Sequence, residues 1–337
     1  MTKTRKLILT ALLLCVCLVL ALPINMLRPC TRFGEEERYV YIYPDHTSND
    51  VGQLLRQQGV RSMASYNLLC KVLGYKVRPG RYRIGRGDNM LSLFRRLRNG
   101  QQEPVMLTIP SVRTMDRMAG YLGNHLMVDS TELATLFSDS LQCAQLGYTC
   151  ETLPALFIPN TYEVYWNISR ENLMQRLQRE NEAFWTTERE GKAKAMGMSR
   201  KEVATLASII DEETANNQEK PMVAGMYVNR LRVGMPLQAD PTVKFALGDF
   251  SLRRIWGKYL TIDSPYNTYQ NLGLPPGPIR VASVAGIDAV LNYVRHDFLY
   301  MCAKEDFSGT HNFARTYGEH LQNARRYAQA LNQRGIK

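Results

Sequence analysis

Residues 203–214 read Val-Ala-Thr-Leu-Ala-Ser-Ile-Ile-Asp-Glu-Glu-Thr, an apolar run closed by three consecutive acids. An α-helix turns about 100° per residue. On that wheel Val203, Leu206, Ala207, Ile210 and Thr214 form one stripe, and Glu213 lies beside Leu206, Ile209 and Ile210, on the apolar side. Glu212 points to the opposite, solvent side, and Asp211 lies on the other flank, near Ala204, Ala207 and Ser208. A carboxyl removed from water resists ionisation, so its pKa rises. A carboxylic acid still neutral at neutral pH is what a general acid must be. The same position also suits a structural acid satisfied by hydrogen bonds or an arginine, because ion-pair networks perturb pKa values too. The helix alone leaves both readings open.

The elements around this helix announce themselves by their caps. Ser199-Arg-Lys-Glu202 is a capping box that opens it. Pro221 starts a second helix through Val223–Leu231, with Gly234 as its stop. Three blocks follow: Leu237-Gln-Ala-Asp-Pro-Thr-Val243, Ser264-Pro-Tyr-Asn-Thr-Tyr269 and Gly273-Leu-Pro-Pro-Gly-Pro-Ile279. Each is polar or stiffened by Pro and Gly and reads as a loop. Ser283–Val294 reads as a helix, and Phe298–Ala303 and His311–Phe313 as strands around a Gly-containing turn. Thr316-x-x-Glu319 is a second capping box and opens a C-terminal helix.

Upstream, Arg38–Tyr43 alternates like a strand, and Thr47–Gly59 and Ser65–Leu73 read as helices. Arg78–Ile84 reads as a strand, Asp88 as the cap of a helix over Met90–Leu97, and Val105–Ile109 as a further strand. This strand–helix–helix–strand–helix–strand order makes residues 38–110 a small α+β module with no evident catalytic residue, suited to binding or spacing. Residues 111–195 read as mostly helical, interrupted by the aromatic segment Phe157–Trp166. Aromatic faces of that kind stack on sugars, and they equally pack cores.

The chain begins differently. Lys3, Arg5 and Lys6 precede an apolar run, Leu7–Leu27, broken only by Thr10, Pro23 and Asn25. About 20 apolar residues span a bilayer. Three preceding cations put residues 1–6 in the cytoplasm and the rest of the chain outside it. A cleaved signal peptide is the alternative, although no small-x-small cleavage site is evident near Pro23. The 337 residues carry a net charge of +11, from 42 Lys and Arg against 31 Asp and Glu. In the cytoplasm such a surplus would suggest nucleic acid. Outside it, the available anions are lipid head groups and acidic wall polymers, and a basic surface without a specific partner is equally consistent.

Seven cysteines, two of them inside the apolar run, are no disulfide framework, although Cys143 and Cys150 are close enough in sequence to pair. There is no zinc-ligand spacing, no H-E-x-x-H, no G-x-S-x-G and no phosphate-binding Gly-rich loop. Metal hydrolysis, Ser/His nucleophilic chemistry and nucleotide chemistry lose their support, and no cofactor or metal is implied.

The blocks as a set resemble the MltG (YceG-like) family of endolytic murein transglycosylases. Ala207–Thr214, Val228-Asn-Arg-Leu231, Leu237–Val243, Tyr266-Asn-Thr-Tyr269, Gly273–Ile279 and His311-Asn-Phe313 follow in the family's order. The aromatic loop and Pro79-Gly-Arg-Tyr82 also match, so the resemblance runs from about residue 38 almost to the end. It implies an α+β fold with a retained anchor over 7–27, a LysM-like module over 38–110 and a catalytic domain over 111–337. It implies residence in the inner membrane, crossed once with the catalytic domain periplasmic. It further implies cleavage between N-acetylmuramic acid and N-acetylglucosamine within nascent peptidoglycan strands, ending their elongation, with peptidoglycan synthases as partners and no nucleic acid.

By position the catalytic acid is Glu213. Gln238, Asp240, Thr242, Tyr266, Asn267 and Tyr269 would be the groove's hydrogen-bonding and stacking groups. Each could instead hold a loop, and Asp240 before Pro241 could be a helix N-cap. Asn229 and Arg230 are candidates for orienting loops, and Pro275, Pro276 and Gly277 for a rigid groove wall. The chain departs from the family in having Asp211 as the acid two positions before Glu213, and Glu212 in place of a commonly basic residue. Hydrolysing glycosidases generally need two carboxylates, whereas here Glu213 would protonate the glycosidic oxygen and, as carboxylate, take the proton of the muramyl C6 hydroxyl. That hydroxyl would attack C1 and close a 1,6-anhydro ring, its tethering standing in for an activated water. The rival readings are a membrane-anchored glycan-binding protein without catalysis and, were the basic region cytoplasmic, a nucleic-acid-binding protein.

Overall fold

The structure, a computed structural model, describes residues 26–31, 37–252, 255 and 257–335. The expected tail and nearly all of the expected anchor over 7–27 lie outside the described residues. Among the described residues no helix is long and apolar enough to cross a membrane. Helices and short two-stranded sheets make the fold α+β. The chain divides into two compact units: residues up to Leu107 with 125–128 and 162–168, and the remainder.

The first unit runs β1 (Arg38–Ile42), α1 (Ser48–Gln57), α2 (Met63–Leu73), β2 (Gly80–Ile84) and α3 (Met90–Asn99). β1 and β2 pair antiparallel, Arg38 opposite Ile84 and Ile42 opposite Gly80. Alternation turns Val40, Ile42, Tyr82 and Ile84 inward onto Val51, Leu55, Tyr66, Leu93, Phe94 and Leu97. Thr47 and Asp50 form a capping box at α1. The cap of α3 is Asn89, not Asp88: the Asn89 side chain accepts the Ser92 N–H at 2.8 Å. Asp88, one residue too early, accepts instead from Arg96 at 2.6 Å and from the Gly85 N–H at 2.7 Å.

β3 (Val105–Thr108) pairs with β4 (Thr161–Val164), not with β1 or β2. The aromatic segment is therefore a packing element: Phe157, Ile158, Tyr162, Val164 and Trp166 are buried. Tyr41 and Tyr43 meet Trp166 edge-on at 5.0 and 4.9 Å.

The second unit is mainly helical. It contains α4 (Met115–His125, all but its last residue), α5 (Ser130–Ser138), α6 (Ser140–Gln145), α7 (Arg170–Phe184), α8 (Thr187–Ala195), α9 (Arg200–Glu213) and α10 (Lys220–Arg232). These are followed by α11 (Asp240–Leu247), α12 (Val284–Leu291), the antiparallel pair β5 (Tyr300–Ala303) and β6 (His311–Ala314), and α13 (Tyr317–Gln333). Both capping boxes read from the sequence are present, at Ser199/Glu202 and Thr316/Glu319. The Leu237–Val243 block is a loop only to Ala239; its second half starts α11, with Pro241 in the first turn, where a missing N–H costs nothing. Cys143 and Cys150 stand with their sulfurs 3.6 Å apart as free thiols.

α9 is the central rod, packed against α10, α11 and α12. Every residue from Val203 to Ile210 is buried. A helix buried all round has no solvent face, so the single-stripe wheel describes it incompletely. Its polar members are satisfied internally. Thr205 donates to the Lys201 carbonyl at 2.8 Å, and Ser208 donates to the Thr205 carbonyl at 2.7 Å while accepting the Ile279 N–H at 3.0 Å.

Candidate active site

The three acids at the end of α9 leave it in three directions, each toward a different partner. Asp211 takes Lys220 at 2.7 Å, with side-chain exposures of only 3% and 7%. It also accepts the Ser283 N–H at 2.6 Å and the Ser283 hydroxyl at 2.7 Å, while that hydroxyl caps α12 at Gly286. Asp211 thus ties α9 to the starts of α10 and α12.

Glu212 is not the solvent-facing bystander of the helical wheel. Arg113 grips both its oxygens, at 2.7 and 2.8 Å, and Arg280 adds a bond at 2.9 Å. The same Arg280 holds the Ser111 carbonyl at 2.9 Å. The outward direction from α9 is correct, but other protein segments occupy it.

Glu213 has no cationic partner among the described residues. Its Oε1 accepts the Tyr227 hydroxyl from α10 at 2.6 Å. Burial pushes its carboxyl above the usual carboxylate range. The Tyr227 hydrogen bond works against that rise, the Asp240 charge adds to it, and His311 and Arg230 oppose it. Burial and the neighbouring Glu213 in turn push the Tyr227 phenol well above its ordinary value, so it stays a donor.

Glu213 opens onto a cleft of ≈ 230 Å³ within the second unit, whose lining includes Tyr227, Gln238, Asp240, Tyr269, Cys302 and His311. Of the sequence candidates, Gln238, Asp240 and Tyr269 therefore stand in the cleft with Glu213. Gln238 and Asp240 are exposed there, and the Tyr269 hydroxyl donates to Asp240 at 2.6 Å. Asp240 does not cap α11; Ala239 occupies the cap position and Asp240 is the first helical residue.

Thr242, Asn267 and Tyr266 are not brought into the cleft lining. Thr242 is fully buried and donates to the Ala239 carbonyl at 2.7 Å, with the Thr268 hydroxyl at 2.9 Å. Asn267, also fully buried, donates to the carbonyls of Leu260 and Ile262 at 3.0 and 2.9 Å and accepts the Tyr269 N–H at 3.0 Å. Tyr266 packs on Phe245 at 4.7 Å between ring centroids. These residues hold the loop that presents Tyr269.

Asn229 and Arg230 do the orienting expected of them. Asn229 donates to the His296 and Phe298 carbonyls at 2.6 and 3.1 Å. Arg230 spans the Leu237 and Leu299 carbonyls, both at 2.6 Å. Gly277 in the Pro/Gly block lies so near the Glu151 carbonyl that a Cβ would stand 2.0 Å from it, so no larger residue fits.

Two further groups line the cleft without a signal in the sequence that marks them as site residues, Tyr227 and His311. Tyr227 adjoins the Val228–Leu231 block but reads as an ordinary helix aromatic. His311 opens both a strand and the His311-Asn-Phe313 block, with no role attached to it by the sequence. It forms a pair with Glu219: Glu219 accepts the His311 backbone N–H at 2.6 Å and lies 3.0 Å from Nδ1. Nothing in the sequence spacing, 92 residues, announces that contact.

Residues 40–326 match the model of the YceG-like family. The chain is 41% identical over 130 residues to an endolytic murein transglycosylase of Bacillus subtilis, covering 39% of this chain and 35% of that protein. It is 27% identical over 309 residues to the endolytic murein transglycosylase of Streptococcus pneumoniae, covering 80% of this chain and 55% of that one. The chain thus spans about a third to about half the length of these relatives. The crystal structure of a yceG-like protein from Listeria monocytogenes resembles this fold with a TM-score of 0.56 at 25% identity, covering 86% of this chain and 99% of that one.

Proposed function

This chain belongs to the YceG-like family, and on that premise we propose that it is an endolytic murein transglycosylase with Glu213 as its catalytic acid. The observation that carries the assignment is the separate fate of three adjacent carboxyls. Asp211 and Glu212 are paired with cations, whereas Glu213 has none among the described residues, is raised in pKa by burial and faces the cleft. With Tyr227 donating to Oε1, the other oxygen is the one left to carry the proton of the acid form toward a glycosidic oxygen in the cleft.

The substrate is a peptidoglycan strand, cut within its length between N-acetylmuramic acid and N-acetylglucosamine. Glu213 protonates the departing oxygen, and the muramyl C6 hydroxyl closes on C1 to leave a 1,6-anhydro end. Because the nucleophile is already tethered, the reaction needs no water-activating carboxylate at the spacing that inverting hydrolases use. Gln238, Asp240 and Tyr269 contact the sugar. Thr242, Tyr266 and Asn267 act one step back, by shaping the loops.

Residues 7–27 hold the protein in the inner membrane with residues 1–6 in the cytoplasm, which exposes the basic remainder to the periplasmic wall. Residues 38–110 serve as a LysM-like glycan-binding module and 111–337 as the catalytic domain, with peptidoglycan synthases as partners in strand termination. The test is Glu213→Gln, assayed on purified peptidoglycan with products weighed. Wild type should release anhydro-muropeptides lacking the mass of water, and the variant, folded, should release none. Normal release by the variant sinks Glu213, and reducing-end muramic acid as the main wild-type product sinks the transglycosylase reading.

A further inference from the structure

The proposed reaction moves two protons. One goes to the departing oxygen, and one leaves the C6 hydroxyl. The geometry points to His311 as the base that takes the second, with Glu219 as the residue that positions it, an inference that rests on the transglycosylase reading above.

Glu219 lies at the start of α10, only 8% exposed, and gathers three donors. These are the Thr214 hydroxyl at 3.0 Å, the His311 backbone N–H at 2.6 Å and the imidazole Nδ1 at 3.0 Å. A carboxylate only accepts, so Nδ1 carries the hydrogen and Nε2 is the basic nitrogen. His311 lines the same cleft as Glu213. Backbone and ring are both fixed by one buried carboxylate, so the imidazole has a set tautomer and orientation. A carboxylate behind an imidazole also stabilises the imidazolium that forms when it accepts a proton. The same contacts tie β6 to the start of α10.

Thr214 adds a second link. It directly follows Glu213 and bonds to the carboxylate that holds His311. The end of α9 therefore sets the acid and, through Thr214 and Glu219, the base.

The step balances. The C1–O bond to the departing sugar breaks as Glu213 gives that oxygen its proton. The C6 oxygen bonds to C1, and its proton passes to Nε2 of His311. Glu213 is left as carboxylate and His311 as imidazolium, and return of one proton from the second to the first restores both. No water and no electrons are consumed. Acid and base then stand on separate elements, α9 and β6, so Glu213 need not have given up its proton before a base is available.

The experiment uses the full-length protein in detergent and purified peptidoglycan strands, with His311→Ala, His311→Gln and Glu219→Gln beside wild type. Both His311 variants should lose about 10²–10⁴ in kcat, the range for removing a general base, with KM little changed. Added imidazole should restore a saturable part of the rate to His311→Ala and leave wild type and His311→Gln unaffected. Glu219→Gln should fall between wild type and the His311 variants. A His311→Gln enzyme with wild-type turnover overturns the inference, since Gln keeps a hydrogen bond but offers no base. So does a His311→Ala enzyme that imidazole leaves unrestored. Wild type that makes no anhydro ends refutes the underlying reading instead, whatever the variants do.

Discussion

Asp211→Asn removes one charge from a pair sealed inside the second unit and changes almost nothing in volume. In the folded protein the Lys220 ammonium is then left without its counterion at 2.7 Å, in a setting where the two side chains are 7% and 3% exposed. Solvent screening is therefore slight. Breaking one partner of a buried pair costs about 3–5 kcal/mol. Weakening of the two Ser283 bonds, at 2.6 and 2.7 Å, belongs largely to the same figure because they form one network. At about 2–4 °C per kcal/mol for a domain of this size, the melting temperature should fall by about 6–20 °C. Urea unfolding followed by tryptophan fluorescence would give the free energy directly. The companion double variant, Asp211→Leu with Lys220→Met, should recover most of the loss, because a buried pair replaced by apolar groups is often neutral. Turnover per folded molecule should stay at the wild-type level, since Asp211 does not line the cleft. A loss below about 1 kcal/mol, outside the range for a broken buried pair, would refute the reasoning. So would a double variant no better than Asp211→Leu alone. A collapse of turnover at full stability would make Asp211 an assistant in catalysis instead of a tie between helices.

Other outcomes follow from the same site. Glu213 has a folded-state pKa above its unfolded one, so its contribution to stability is intact below the ordinary carboxylate range and is lost as pH rises through the folded value. Glu213→Gln should therefore match wild type in acid and exceed it in melting temperature at neutral and alkaline pH; equal melting curves at every pH would contradict this. Tyr227→Phe deletes the hydrogen bond that opposes the rise, so the alkaline limb of the cleavage profile should move to higher pH, and a shift to lower pH would show that Tyr227 acts otherwise. Asn267→Ala strips buried bonds to Leu260 and Ile262 and should cost about 1–3 kcal/mol, with earlier protease cutting between 258 and 272 and reduced cleavage of peptidoglycan. Unchanged proteolysis with lost activity would instead make Asn267 a direct sugar contact.

Much of this was legible in the chain before folding because it is local. Caps at Ser199 and Thr316 lie within three residues of their partners, and their boxes form as read. Arg38–Tyr43 and Arg78–Ile84 read as strands, and strands form there at Arg38–Ile42 and Gly80–Ile84. Local reading failed where a residue's role depends on what arrives from far away. The strand read over Val105–Ile109 follows the module's other elements in sequence, yet Val105–Thr108 pairs with Thr161–Val164. Thr242 and Asn267 look like groove residues in two polar blocks, and their burial depends on Thr242 meeting Thr268 and Asn267 folding back on Leu260 and Ile262.

The end of α9 shows the division most clearly. Sequence by itself determined that a capped apolar helix ends in three acids and that 100° steps send them different ways, because backbone geometry and capping need only neighbours. The wheel even turned Glu213 toward the right side. Tertiary structure alone decided what each acid meets: Lys220 and Ser283 for Asp211, Arg113 and Arg280 for Glu212, Tyr227 and an open cleft for Glu213. A carboxyl's ionisation is set by the water it loses and the charges that replace it. Those charges come from residues 9 to 99 positions away, brought together only when the chain folds.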